Sequence, residues 1–348
     1  MADGLNSKER VIRLLNGDVV DRVPCFSGMG NITVEGLNKS GVSFVEAHKS
    51  PEGMARAAAS SFELFGYESA VAPFDLGVEA EALGCRINFY EHSEGIIYPT
   101  VKTKILHTGD ELSMPEDFLE RGRIPLVAKA LEILKRDMGE KVAIGSYILG
   151  PFTLAGQLMD LNELLKDSFK RQGDIRRLLD SLKAPLIALG NHLIESGADF
   201  ITVREMGASA DIISPRMFKN LIMPPLKEVI SEIHGLRILH ICGDTNPIVG
   251  MMQECGAEAI SVEQKNDVAA TRAALGDEAV ILGNIDAFNL LVKGTPEEVR
   301  EAVKKAIKAG VDGVMPGCDI WPEAKAENMR ALVEATAEYG SGRIGEEK

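Results

Sequence analysis

The sequence predicts an α/β chain folded as a (β/α)8 TIM barrel, with a β-hairpin inserted between the second and third strands. Three observations predict it. Short apolar strands alternate with amphipathic helices along almost the whole of the 348 residues, and eight strands can be counted. Three helix-to-strand junctions share one glycine turn: Glu195-Ser-Gly-Ala-Asp-Phe200, Glu254-Cys-Gly-Ala-Glu-Ala259 and Lys308-Ala-Gly-Val-Asp-Gly313. A glycine there ends the helix and leads directly into a parallel strand. The competing arrangement is an open doubly wound sheet. No Gly-x-Gly-x-x-Gly follows a first strand, so its dinucleotide-binding form lacks a fingerprint.

In chain order, residues 7–16 form an amphipathic helix with Ser7 as its N-cap and Gly17 as its stop. Strands are expected at 23–27, 69–74, 142–149, 200–204, 238–242, 259–263, 280–284 and 313–316. Helices are expected at 50–65, 174–196, 214–234, 247–254, 267–275, 296–309 and 324–339. Residues 84–90 and 95–105 alternate polar and apolar side chains, the pattern of an antiparallel pair. That hairpin is either part of a lid or docking surface, or an edge decoration. One domain over 1–340 and a disordered tail over 341–348 complete the expectation.

Composition narrows the partners. A formal charge of −14 disfavours nucleic acid and anionic membrane, both of which need a basic surface. No apolar run approaches the roughly 20 residues of a spanning helix, and the polar start lacks an export core, so a cytoplasmic protein is expected. Five cysteines in a chain this long make no disulfide framework. Ligation or catalysis is the better reason for any that matter.

In a barrel of this kind, chemistry stands at the C-terminal ends of the strands. Those ends carry Asp75, Glu205, His240, Cys242, Glu263, Asn284, Asp286 and Cys318. His240 and Cys242 are two apart and share a face. With Cys318 they supply the ligand types of a zinc site that keeps a fourth position open. The plainer alternative is two buried thiols and a core imidazole. Two thiolates and a neutral imidazole leave zinc formally neutral, a poor activator of water. Such a centre is suited to binding a substrate thiol and ionising it, which a free thiol of pKa near about 8.5 hardly does at pH 7. Thiolate alkylation is the natural reaction. Glu263 suits a displaceable fourth ligand, or alternatively a partner to His240. Cys255 and Cys85 read as core and hairpin positions. Cys25 lies on the first strand with nothing to pair it, and His48, His92, His107 and His192 as surface, hairpin or helix positions.

Several stretches resemble a known family: Asp21-Arg-Val-Pro24, Gly122-Arg-Ile-Pro-Leu-Val127, Gly150-Pro-Phe-Thr-Leu-Ala155, Ile213-Ser-Pro215, Leu239-His-Ile-Cys-Gly243, Ser261-Val-Glu263, Gly283-Asn284 and Pro316-Gly-Cys318. In order and nearly end to end, they are similar to the methylcobamide:coenzyme M methyltransferases of the uroporphyrinogen decarboxylase superfamily. The resemblance implies Zn(2+) on His240, Cys242 and Cys318, with a carboxylate or other labile group in the fourth place. It also implies methyl transfer from a methylcobamide, carried by a partner corrinoid protein, to the thiol of coenzyme M, as in methanogenesis. The sulfonate of that thiol needs donors; Arg204, Asn284 and the backbone amides of residues 207–209 are the candidates. Which of Arg204 and Glu205 faces the mouth depends on strand parity. Relatives pass the methyl to homocysteine or tetrahydrofolate instead. The decarboxylases grip porphyrin carboxylates with an arginine-rich stretch after the first strand, where this chain reads Phe26-Ser-Gly-Met-Gly-Asn-Ile-Thr33.

Overall fold

A computed structural model describes residues 4–92 and 95–341. Nine strands are assigned among them: β1 (Ser69–Val71), β2 (Arg86–Asn88), β3 (Thr100–Thr103), β4 (Ala143–Leu149), β5 (Phe200–Arg204), β6 (Leu236–His240), β7 (Ala259–Ser261), β8 (Val280–Ile285) and β9 (Gly313–Pro316). Seven of them form one parallel sheet in the order β1-β4-β5-β6-β7-β8-β9, with helices in the connections. The sheet curls until its two edges are joined by the first predicted strand. Cys25 bridges Val314 of β9 in parallel, Val314 donates to the Pro24 carbonyl at 2.9 Å, and Glu68 beside β1 donates to the Cys25 carbonyl at 2.8 Å. Residues 23–27 therefore occupy the eighth barrel position without forming a regular strand. Pro24 has no N–H to give to a ladder, and part of the pairing passes to side chains: Cys25 N–H donates to Glu68 Oε1 at 2.9 Å and Ser27 N–H to Ser69 Oγ at 2.9 Å. Asp21 and Arg22 brace this closure. Arg10 donates to Asp21 and to the buried Glu68, which also receives Arg22 Nη1 at 2.8 Å.

The hairpin is present as β2 paired antiparallel with β3, shorter than the sequence suggests. The three glycine turns hold as expected: Gly197, Gly256 and Gly310 have φ of 116°, 87° and 113°, where a side chain would be strained. Several boundaries move. The first helix spans Ser7–Leu15, and its cap is Asn6 rather than Ser7: Asn6 Oδ1 accepts the Glu9 N–H at 2.9 Å while Glu9 reaches back to the Asn6 N–H. The helix expected at 174–196 divides into Gln172–Ser181 and Lys183–Glu195, since Pro185 cannot donate to the Ser181 carbonyl. That expected at 214–234 contains a π-turn, Phe218–Ile222, just before Pro224 and Pro225. Arg176 donates to the Asn220 carbonyl at 2.8 Å, which Pro224 cannot serve. Residues 342–348, most of the expected tail, lie outside the described residues. No helix among the described residues is long and apolar enough to cross a membrane.

Candidate functional site

Strand parity builds the site. Phe200, Ile238, Ala259 and Leu282 pack with Phe26, Met29 and the first-helix residues Val11, Leu14 and Leu15 in one apolar cluster that fills the N-terminal end of the barrel. Side chains on the same face recur every second residue, so Arg204, His240, Ser261 and Asn284 follow on the interior face. Sheet register aligns the first three: Arg204 pairs with His240 and His240 with Ser261. The question between Arg204 and Glu205 is thereby answered: Arg204 faces inward, Glu205 outward. Cys242 and Glu263 lie two residues past the ends of β6 and β7, and Cys318 two past β9.

The predicted trio converges. The ligand atoms of His240, Cys242 and Cys318 all lie within 4.8 Å of one another. His240 Nε2 is 3.0 Å from Cys242 Sγ, and the two sulfurs are 3.3 Å apart. His240 is fully buried, and its Nδ1 lies 2.9 Å from Ser261 Oγ. With the proton on Nδ1 donated to Ser261, the Nε2 lone pair is turned toward the thiols. The Cys242 thiol donates to Cys318, which holds Cys318 well below the ordinary thiol range, assisted by His240 and Arg204. The same bond, with burial, drives Cys242 well up. A tetrahedral ion with bonds of about 2.3 Å separates two sulfurs by roughly 3.8 Å. The pair needs to open by only about half an ångström to hold one. The donor set and its spacing fit a soft divalent metal.

Glu263 stands outside this cluster. Its Oε2 accepts the Gly243 N–H. The partner at His240 Nδ1 is Ser261, so that role does not fall to Glu263. Asn284 donates to the Asn266 carbonyl at 3.1 Å, and the Gly207 and Ala208 amides are taken by Thr153 Oγ1 and the Glu205 carbonyl. Asp286 folds back on its own loop, accepting from Phe288 and Asn289. Arg204 is different. It is fully buried, stacks over the Tyr147 ring at 4.6 Å and donates Nη2 to Asp319. Its Nε and Nη1 have no partner among the described residues. A buried guanidinium with two free donors is an incomplete anion site. Asp319 is fixed in turn by the Gly30 N–H at 3.0 Å.

A cavity of about 350 Å³ opens beside the trio, with Asp75, Tyr98, Gln157, Cys318, Asp319 and Trp321 among its walls. Tyr98 and Thr100 belong to the inserted hairpin, which therefore shapes this cavity. Asp75 bears a two-pronged pair from Arg123, at 2.6 and 2.9 Å. Burial alone would raise the Asp75 carboxyl, and Arg123 outweighs it and holds the group below the usual range. His48, expected at an accessible position, is fully buried. It sits against Phe44, Phe74 and Tyr98 with Nε2 3.7 Å from Asp75, and burial lowers its pKa. Cys25 is buried too, with Thr336 of the last helix as its partner rather than a group in the barrel.

Glu205 caps the helix Pro151–Leu158 from outside the barrel. It accepts the Phe152 and Thr153 N–H groups and the Thr153 hydroxyl at 2.6–3.0 Å. A Cβ at Gly150 would collide with this carboxylate. Burial pushes Glu205 up from 4.5 to about 7, against those donors. A carboxyl whose folded-state pKa is raised stabilises the fold fully below about pH 4.5 and ceases to as pH rises through about 7. Glu205→Gln is therefore expected to remove about 3 kcal/mol of the stability decline between about pH 5 and about pH 8. Urea midpoints across that range check it, and an unaltered slope would refute the assignment. Glu79, buried and accepting the Leu149 N–H at 2.8 Å, is raised likewise to about 7 and adds a contribution of the same sign.

Sequence reasoning missed Ser261, Tyr147 and Asp319. The first two follow from parity once register is known; Asp319 adjoins Cys318 but gave no signal of its pairing with Arg204.

Comparison with known proteins completes the picture. Residues 6–339 match the uroporphyrinogen decarboxylase (URO-D) family. A methylcobamide:CoM methyltransferase, MtaA, of Methanosarcina barkeri is 35% identical over 95% of this chain and 98% of its own. A uroporphyrinogen decarboxylase of Trichodesmium erythraeum is 23% identical over 95% of the chain and 96% of its own. A solved methyltransferase from Methanosarcina mazei superposes with a TM-score of 0.91 at 33% identity, covering 96% of this chain and 99% of that one. The chain belongs to the uroporphyrinogen decarboxylase (URO-D) family and, within it, to the methylcobamide:CoM methyltransferases.

Proposed function

We propose that this enzyme moves a methyl group from the methyl-Co(III) corrinoid of a partner protein to the thiol of coenzyme M. The products are methyl-coenzyme M and Co(I) corrinoid. The observation that carries the reading is the convergence of His240, Cys242 and Cys318 beside a cavity sized for a small thiol. The thiol gives up its proton to solvent, its sulfur attacks the methyl carbon, and the cobalt–carbon electron pair stays on cobalt. No redox partner is needed.

His240, Cys242 and Cys318 would hold Zn(2+), which when bound ionises a substrate thiol and keeps its sulfur nucleophilic. Ser261 fixes the His240 ring so that Nε2 remains the ligand atom. Glu263 is assigned as the displaceable fourth ligand; its Oε2 accepts the Gly243 N–H, and to serve, a carboxylate oxygen must swing toward the trio. Arg204 offers Nε and Nη1 to the sulfonate, while Asp319 and Tyr147 hold the guanidinium in place. Asn284 keeps a lesser role as donor, since one of its two amide hydrogens is already given to the Asn266 carbonyl.

The test pairs acceptor with metal. With methylcobalamin as donor, the protein as purified is expected to methylate coenzyme M, release Co(I) and contain about one zinc per chain. Metal-free protein that methylates at the parent rate, or a clear preference for homocysteine or tetrahydrofolate as acceptor, defeats the proposal.

A further inference from the structure

Apolar side chains rim the mouth of the barrel. Ile97, Ile212, Phe288 and Trp321 are 42%, 49%, 36% and 50% exposed. Each belongs to a loop that leaves the C-terminal end of a barrel strand or the inserted hairpin. Two of them form a unit: the Phe288 and Trp321 rings are 5.0 Å apart with their planes at 50°, and Lys293 Nζ lies 4.2 Å from the Phe288 centroid. Trp321 is the sole tryptophan of the chain. It lines the same cavity as Cys318, three residues before it. Large aromatic rings left half in water at the entrance of a site mark a contact surface.

Size decides which of the two substrates meets them. A cavity of about 350 Å³ accommodates a small thiol. A corrin macrocycle with its amide side chains is several times too large to enter. It must stop at the rim with one face toward the cavity, and the aromatic pair stands there.

We infer that Trp321 and Phe288 form a platform for the corrin ring of the methyl donor, aligning the cobalt-bound methyl with the cavity. This rests on the methyl-transfer reading above. Trp321 acts by binding: it packs on the macrocycle at the cavity entrance and supplies no ligand to the metal.

The full-length, metal-loaded protein and free hydroxocobalamin, which carries no transferable methyl, provide the test. Dissociation constants come from equilibrium dialysis, and Michaelis constants for methylcobalamin give a second reading. Trp321→Ala is expected to weaken corrinoid binding about tenfold and Phe288→Ala several-fold, in the range measured for stacking on aromatic side chains. Trp321→Phe should restore most of it, with zinc content and melting temperature unaltered throughout. In the parent, corrinoid should quench the tryptophan emission saturably. A Trp321→Ala protein that binds corrinoid as tightly as the parent overturns the platform, as does one whose only defect is a raised Michaelis constant for the thiol. If the parent demethylates methylcobalamin and the variant is unchanged, the platform alone falls. A parent that neither binds hydroxocobalamin nor demethylates methylcobalamin takes the methyl-transfer reading down as well.

Discussion

Cys318→Ala is expected to yield protein with no bound metal and no measurable transfer to coenzyme M. The proposed site takes three lasting ligands from the trio and Glu263 as a displaceable fourth, so removing Cys318 leaves His240 and Cys242 as the only lasting donors, and two donors hold a divalent ion weakly. Loss of a partner beyond the ligands typically costs about 10–100-fold in metal affinity or activity. Loss of a ligand should exceed that, so activity should fall well over a hundredfold. Four variants make a ladder: Cys318→Ala and Cys242→Ala at the bottom, Ser261→Ala between, and Cys255→Ala at the top. Ser261→Ala removes only the acceptor at His240 Nδ1, while Cys255 is buried in the core, bonded to the Met251 carbonyl. Stability offers a second axis. A metal bound only by the folded state stabilises it in proportion to the logarithm of its occupancy. Chelation should lower the parent melting temperature and leave that of Cys318→Ala unmoved. Cys318→Ala protein that retains stoichiometric zinc would disprove the ligand set.

Much of this site was legible in the sequence because the barrel reduces position to parity and strand order. His240 and Cys242 announce themselves by their spacing. Cys318 needed one more step, the expectation that the last strand closes on the first. Longer-range electrostatics left no such trace. Arg204 reads as either an inward or an outward residue until its pairing with His240 is known, and nothing in Pro316-Gly-Cys-Asp319 declares that Asp319 will meet it. His48 is the clearest misreading. A histidine in a polar stretch looks exposed, yet the loop carrying it folds under the hairpin and presses it against Phe74 and Asp75. Strand ends were placed too late at Cys242 and Glu263 because apolar alternation continues past the ladder, while the paired register ends at His240 and Ser261 and Val262 donates the last bond of β7, to the Leu282 carbonyl. Pattern shows where side chains point; it does not show where pairing ends.

Arg204→Met should separate the two ends of the acceptor. The guanidinium Nε and Nη1 are buried donors with no partner among the described residues, and a sulfonate is the anion proposed to complete them. Met keeps much of the volume over Tyr147 and removes the charge. A lost hydrogen bond to a charged group is worth about 1.5–3 kcal/mol, so the Michaelis constant for coenzyme M should rise about 10–100-fold. The turnover number at saturation should change far less, because Arg204 grips a part of the substrate remote from the reacting sulfur. 2-Mercaptoethanol has the same thiol and no sulfonate. The parent should prefer coenzyme M strongly, and Arg204→Met should treat the two thiols alike. Arg204→Lys restores the charge without the two-pronged geometry and should fall between. Asp319 loses its cation in the Met variant but keeps the Gly30 N–H and is 30% exposed, so the fold should survive, and a melting curve checks that it does. If Arg204→Met still discriminates between the thiols as the parent does, the sulfonate is held elsewhere and the free guanidinium nitrogens serve another purpose.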